Sequence, residues 1–72
     1  MEFSTAEKIN IIRKKRNMTL SQLAEKLDST PNNLNNKLKR NNFPEKEIEK
    51  IAEALDCKYI SQFELNDTGE IL

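Results

Sequence analysis

Apolar positions recur at helical spacing along most of the chain. Phe3, Ala6, Ile9 and Ile12 form an i, i+3 row, the spacing that lines one face of an α-helix. They predict a first helix from Ser4 or Thr5 to Arg16 with this row toward the core. Ser4 or Thr5 caps its start, Glu7 suits the positive end of its dipole, and Arg13-Lys14-Lys15-Arg16 suits the negative end. Ile11 falls off the row and needs another neighbour. Leu20, Leu23, Ala24 and Leu27 repeat at i, i+3, i+4, i+7 and predict a second helix ending near Leu27. At its start, Thr19 and Gln22 have the spacing of a capping box, and Met18 and Leu23 that of a hydrophobic staple.

Only Asp28 and Ser29 separate Leu27 from Thr30-Pro31, an N-cap followed by proline at the first helical position. So short a turn forces the next helix to cross the second steeply, which is the geometry of a helix-turn-helix. The third helix, Pro31 to Arg40, has Leu34 and Leu38 as its apolar pair and is otherwise polar. Asparagine forms helix poorly, so local propensity does not explain Asn32, Asn33, Asn35 and Asn36. Pro44 opens a fourth helix with Glu45 and Glu47 in its first turn, and Ile48, Ile51, Ala52 and Leu55 line its apolar face to about Asp56. Beyond it, Cys57, Tyr59, Ser61, Phe63 and Leu65 alternate, predicting a strand. Asn66-Asp67-Thr68-Gly69 follows as a turn. Ile60 interrupts the alternation, and a short fifth helix competes with the strand. The expected architecture is mostly α: a compact domain of four to five helices over residues 1–56, with a C-terminal β-strand or hairpin tail over 57–72.

Composition narrows the chemistry. Seventy-two residues make one small domain with little room for an enclosed catalytic cleft. With no histidine and Gly69 as the sole glycine, histidine-based metal sites, histidine triads and glycine-rich phosphate loops are absent. No catalytic residue, metal, cofactor or small-molecule ligand is expected. A lone Cys57 makes no internal disulfide and suits a small buried position. No apolar run approaches membrane-spanning length, and Met1-Glu2-Phe3-Ser4 does not open a signal peptide. The expected location is cytoplasmic, at the nucleoid.

The twelve basic and twelve acidic side chains cancel overall, but not locally. Residues 1–42 carry nine basic and four acidic side chains, or +5; residues 43–72 carry three basic and eight acidic, or −5. Such a gradient marks an electrostatic surface and directs the first three helices toward an anionic partner.

Ile9-x-x-Ile12-Arg13, Met18-Thr19-x-x-x-Leu23-Ala24-Glu25-Lys26-Leu27, Asp28-Ser29-Thr30-x-x-x-Leu34 and Ile51-Ala52-Glu53-Ala54-Leu55 together resemble the lambda-repressor/Cro-like, or Xre-type, helix-turn-helix regulators. The tail is similar to that of a small subgroup, in which Lys37-Leu38-Lys39-Arg40 is followed by Asn42-Phe43 and later by Asp67-Thr68-Gly69-Glu70. The resemblance implies a helical domain that binds operator DNA, usually as a homodimer, with its third helix in the major groove. By position it implies base-edge contacts for Asn32, Asn33 and Asn36, and backbone contacts for Leu20, Lys39 and Asn42. The sequence departs from the family at three points. Leu20 and Pro31 stand where glutamine is common, and Leu38 where a glutamate often pairs with the first-helix arginine, here Arg13.

Asparagine can pair in bidentate fashion with the N6 and N7 edge of adenine. An AT-rich coding background would also enrich asparagine, but six of the nine fall within residues 32–42, which favours a local role. Asn32, Asn33, Asn35 and Asn36 are the candidate base contacts. Lys37, Lys39, Arg40, Asn42 and Arg13 are candidate phosphate contacts, with the helix N-termini at Thr19 and Thr30. Simple charge compensation at a helix end would equally explain Arg13 to Arg16. An isolated strand is unstable in water, so Tyr59, Phe63 and Leu65, together with Ile11, are the candidate homodimer interface. A short intrachain hairpin with Glu70-Ile71-Leu72 is the alternative. The expected function is a sequence-specific, double-stranded-DNA-binding transcriptional regulator, a repressor. The rival is a protein-interaction module, an antitoxin or regulator partner, that keeps the fold without operator binding.

Overall fold

Hydroxyl side chains start the first three helices of the computed structural model, which describes residues 2–72. Helix α1 (Thr5–Lys15) begins with a full capping box. The Ser4 hydroxyl accepts the Glu7 N–H at 3.2 Å, and the Glu7 carboxylate accepts the Ser4 N–H at 3.0 Å. Helix α2 (Leu20–Lys26) repeats the device: Thr19 Oγ1 accepts the Gln22 N–H at 3.1 Å, and Gln22 Oε1 accepts the Thr19 N–H at 2.8 Å. In helix α3 (Pro31–Arg40), Thr30 Oγ1 accepts the Asn33 N–H at 3.2 Å, and Pro31 occupies the first position, where an N–H would have no helical partner. Helix α4 (Glu45–Ala54) follows Pro44, which offers no side-chain cap; Glu45 and Glu47 place negative charge in its first turn instead.

The helix ends are built without glycine. Asn17, Asp28 and Asp56 each adopt a left-handed conformation just past α1, α2 and α4, with φ of 54°, 54° and 56°. Each is followed by the paired bonds of a Schellman motif: Met18 to Arg13 and Asn17 to Lys14, Ser29 to Ala24 and Asp28 to Glu25, Cys57 to Ala52 and Asp56 to Glu53. Asn41 does the same for α3 from the C-cap position itself, with φ of 52°. Asn and Asp tolerate this region better than other residues with a Cβ, which is how four helices stop in a chain whose one glycine lies elsewhere.

The core is one cluster. Ala6 and Ile9 from α1, Leu23 and Ala24 from α2, Leu34 and Leu38 from α3, and Ile51 and Leu55 at α4 are buried. Ile12, Met18, Leu20, Leu27, Phe43, Ala54 and Cys57 pack against them. Burying a leucine fully contributes about 1.5–3 kcal/mol, so Leu34 and Leu38 alone hold α3 firmly. The i, i+3 row of α1 holds from Ala6 onward. Phe3, expected in the core, is 53% exposed, because it lies before the Ser4 cap and outside the helix. The off-row Ile11 is half-buried.

The tail takes the hairpin alternative with Glu70-Ile71-Leu72, not the extended strand or the fifth helix. Among the described residues there are four helices, no fifth, and no strand over Cys57–Leu65. A strand needs a ladder, and the alternating segment finds a partner only at its end. Phe63 and Leu72 exchange backbone bonds of 2.8 and 2.7 Å, the Leu65 N–H donates to Glu70 at 2.8 Å, and Glu64 and Ile71 form a single antiparallel bridge. Asn66-Asp67-Thr68 make the expected turn, closed by the Gly69 N–H on the Leu65 carbonyl at 2.8 Å, and Gly69 supplies φ of 74°. The tail is thus a minimal hairpin closure. Every residue from Lys58 to Leu72 is exposed. The radius of gyration, 13.8 Å, exceeds the roughly 11 Å of a compact chain of this length, and the extents of 44 × 24 × 23 Å describe an elongated shape; Tyr59 to Gln62 border a cleft with α1 and α4.

Candidate nucleic-acid interface

Helix α3 is anchored by one narrow seam. Leu34 and Leu38 point inward, and the 100° step between residues distributes the rest around the axis. Asn36 lies opposite the seam, with Asn32, Asn33, Lys39 and Arg40 around it, all exposed. Asn35 lies on the flank and is half-buried; it borders a groove with Asn10, Arg13 and Leu20, on the α1–α2 side. Lys37 lies on the other flank, toward α4. The four candidate base-reading asparagines therefore divide into three that project outward and one that faces its own fold.

The flanks are engaged differently. Lys37 forms an ion pair with Glu47 of α4, the one ion pair among the described residues. Lys39, Arg40 and the loop residue Asn42 are exposed. Arg13 finds a partner other than the family's glutamate: its Nη1 donates to the Met18 carbonyl at 2.8 Å and its Nε to Asn10 Oδ1 at 3.3 Å. This guanidinium braces the α1–α2 turn. The hydroxyls of Thr19 and Thr30 both act as caps, so their helix ends present a first turn whose remaining N–H groups have no partner within the helix.

Two further residues have structural roles that the sequence did not signal. Arg16 reaches across the fold, donating from Nε to the Leu55 carbonyl at 3.1 Å and from Nη2 to the Asp56 carbonyl at 2.9 Å. It thereby satisfies the end of α4, and no local pattern could link positions 39 residues apart. Asn41 Oδ1 accepts the Ala6 N–H at 2.9 Å, joining the end of α3 to the start of α1. Asparagine just past a helix favours the left-handed stop, a cue the sequence holds at this position, but no spacing indicates the long-range bond.

The exposed arc of α3 carries Lys39 and Arg40 beside its asparagines. No group of three or more Cys, Asp or Glu is arranged to hold a metal among the described residues, and no helix is long and apolar enough to cross a membrane. Ten residues of α3 span about 15 Å, and B-DNA's major groove, about 12 Å wide, admits such a helix. Phe63 is 78% exposed, while Tyr59 and Leu65 are partly covered at 42% and 38% exposed, Tyr59 beside residues of α1 and α4. A family model described as a Cro/C1-type HTH DNA-binding domain matches residues 8–63. No curated protein and no solved structure matches the chain. The match runs from Lys8 within α1 through α2, α3 and α4, with the turn between α2 and α3, and the chain belongs to the Cro/C1-type helix-turn-helix family of DNA-binding domains.

Proposed function

We propose that this DNA-binding domain is a transcriptional repressor that reads double-stranded DNA in the major groove with α3. The observation that carries the reading is the split character of that helix. Two leucines attach it to the core, while asparagine, lysine and arginine occupy its exposed arc. Asn32, Asn33 and Asn36 read base edges, and Asn35 contributes from the flank. Lys39, Arg40, Asn42 and Lys37 meet phosphates, with Arg13 and the helix ends at Thr19 and Thr30 at the margin of the footprint. Residues 1–56 form the DNA-binding unit and 57–72 the dimerisation element, acting at the nucleoid in the cytoplasm. The exposed apolar surface of Phe63, with the partly exposed Tyr59, Leu65 and Ile11, supports a twofold homodimer that sets two recognition helices about 34–36 Å apart.

Selection of bound sequences from a random duplex pool tests this reading. The expected result is a palindromic site containing A·T pairs. Failure to retain any duplex at low salt would favour the protein-interaction module. Light scattering at tens of micromolar tests the dimer: a monomer unaffected by deletion of residues 57–72 would remove the tail from the assembly.

A further inference from the structure

We propose that Glu47 is an internal competitor for Lys37, withholding that lysine from DNA phosphate until the ion pair opens and so setting how steeply binding depends on salt. The inference rests on DNA binding through α3. Lys37 and Glu47 join two elements that the sequence separates by a loop, and they are the one ion pair among the described residues. Lys37 is the only basic side chain of α3 so held; Lys39 and Arg40 lie on the same helix without a carboxylate partner. The pair is accessible, with side-chain exposures of 47% for Lys37 and 27% for Glu47, so a phosphate can reach the ammonium. Lys46 and Lys50 of α4 border the same cleft and keep its surroundings positive around a single carboxylate.

The physical argument is one of exchange. A free lysine that neutralises a phosphate releases a condensed counterion, and each such contact adds about 0.9 to the slope of log K against log salt. A lysine already paired with a carboxylate must first give up that partner, and the carboxylate is then left close to the phosphates. The contact gains little affinity while Glu47 stays charged. A solvent-exposed pair contributes little to folding, so neutralising Glu47 leaves the fold in place.

The test is a double-mutant cycle in the full chain. The probe is a duplex recovered from the random pool, titrated at several salt concentrations. With Glu47→Gln, affinity should rise about three- to tenfold at low salt and the slope should steepen by about one unit. Lys37→Met should lower affinity about tenfold in the Glu47→Gln background, so that the double variant, which replaces the neutral pair by neutral side chains, binds within about twofold to threefold of the wild type. Glu49→Gln removes an exposed α4 carboxylate without an ion-pair partner and controls for net charge; its gain should be smaller and independent of Lys37. A double variant that binds as tightly as Glu47→Gln alone, or a Glu47→Gln gain matched by Glu49→Gln, would overturn the inference while leaving DNA binding intact. Absence of binding by the wild type and every variant would overturn the DNA-binding reading itself.

Discussion

The side-chain carbonyl of Asn41 accepts the backbone N–H of Ala6 at 2.9 Å while Asn41 holds the left-handed conformation that ends α3. One residue thus stops the candidate recognition helix and fixes it to the first helix. Asn41→Ala removes the bond and strains the backbone, and should destabilise the fold by about 1–3 kcal/mol. Asn41→Gly keeps the conformation but not the acceptor, and should lose less. Urea unfolding of the two variants separates the contributions.

Asn36 lies opposite the Leu34–Leu38 seam, and Asn35 lies on the flank. Asn36→Ala should relax preference at one base pair by about 1–3 kcal/mol. Asn35→Ala should change preference less. Repeating the random-pool selection with each variant measures this, and equal effects would argue against groove entry along the exposed arc.

Lys39 is exposed and without a carboxylate partner among the described residues. Lys39→Ala should weaken binding to all sequences alike and reduce the salt slope by about one unit. A change confined to one base position would instead make Lys39 a base contact.

Much of this arrangement was legible from local signals. Thr19 with Gln22, and Thr30 with Pro31, marked the starts of α2 and α3, because a capping hydroxyl and the N–H it accepts lie within four residues. Leu34 and Leu38 defined the inner seam of α3 for the same reason. Ser4 and Glu7 carried an equally clear capping-box spacing whose reciprocal bonds exceed a simple dipole effect. The tail was less legible because alternation shows which side chains share a face, not whether a neighbouring strand exists. Lys37 with Glu47, and Arg16 with Leu55, depend on how α4 packs, which no spacing of one or two turns encodes.

Asp28 and Asp56 combine a left-handed backbone with negative charge at a helix C-terminus, where charge of that sign is unfavourable. Among the described residues, neither carboxylate makes a hydrogen bond that offsets it. Asp28→Gly and Asp56→Gly should each stabilise the domain by about 0.5–1 kcal/mol, raising Tm by about 4–8 °C per kcal/mol. Thermal unfolding followed by circular dichroism checks this, and a fall in Tm would indicate a contact made by the carboxylate.

The Ser4 N–H, and secondarily the Ser4 hydroxyl, hold the Glu7 carboxyl below the usual glutamate range. A carboxyl whose folded value is depressed supports the fold fully above its unfolded value of about 4.3 and loses that support as pH falls through the folded value. Glu7→Gln should therefore differ most from wild type near neutrality, and the two stability curves should converge in acid. An NMR titration of Glu7 in the ordinary range would contradict this.

The attachment of α3 by two leucines, with Thr30 and Asn41 at its ends, separates what the helix recognises from what keeps it folded. Surface substitutions away from special features change stability by only about ±0.5 kcal/mol. Asn32, Asn33, Asn36, Lys39 and Arg40 can accordingly be exchanged as a set while the scaffold stays the same. On the proposed reading, sequence preference can be rewritten at these five positions while the fold is kept.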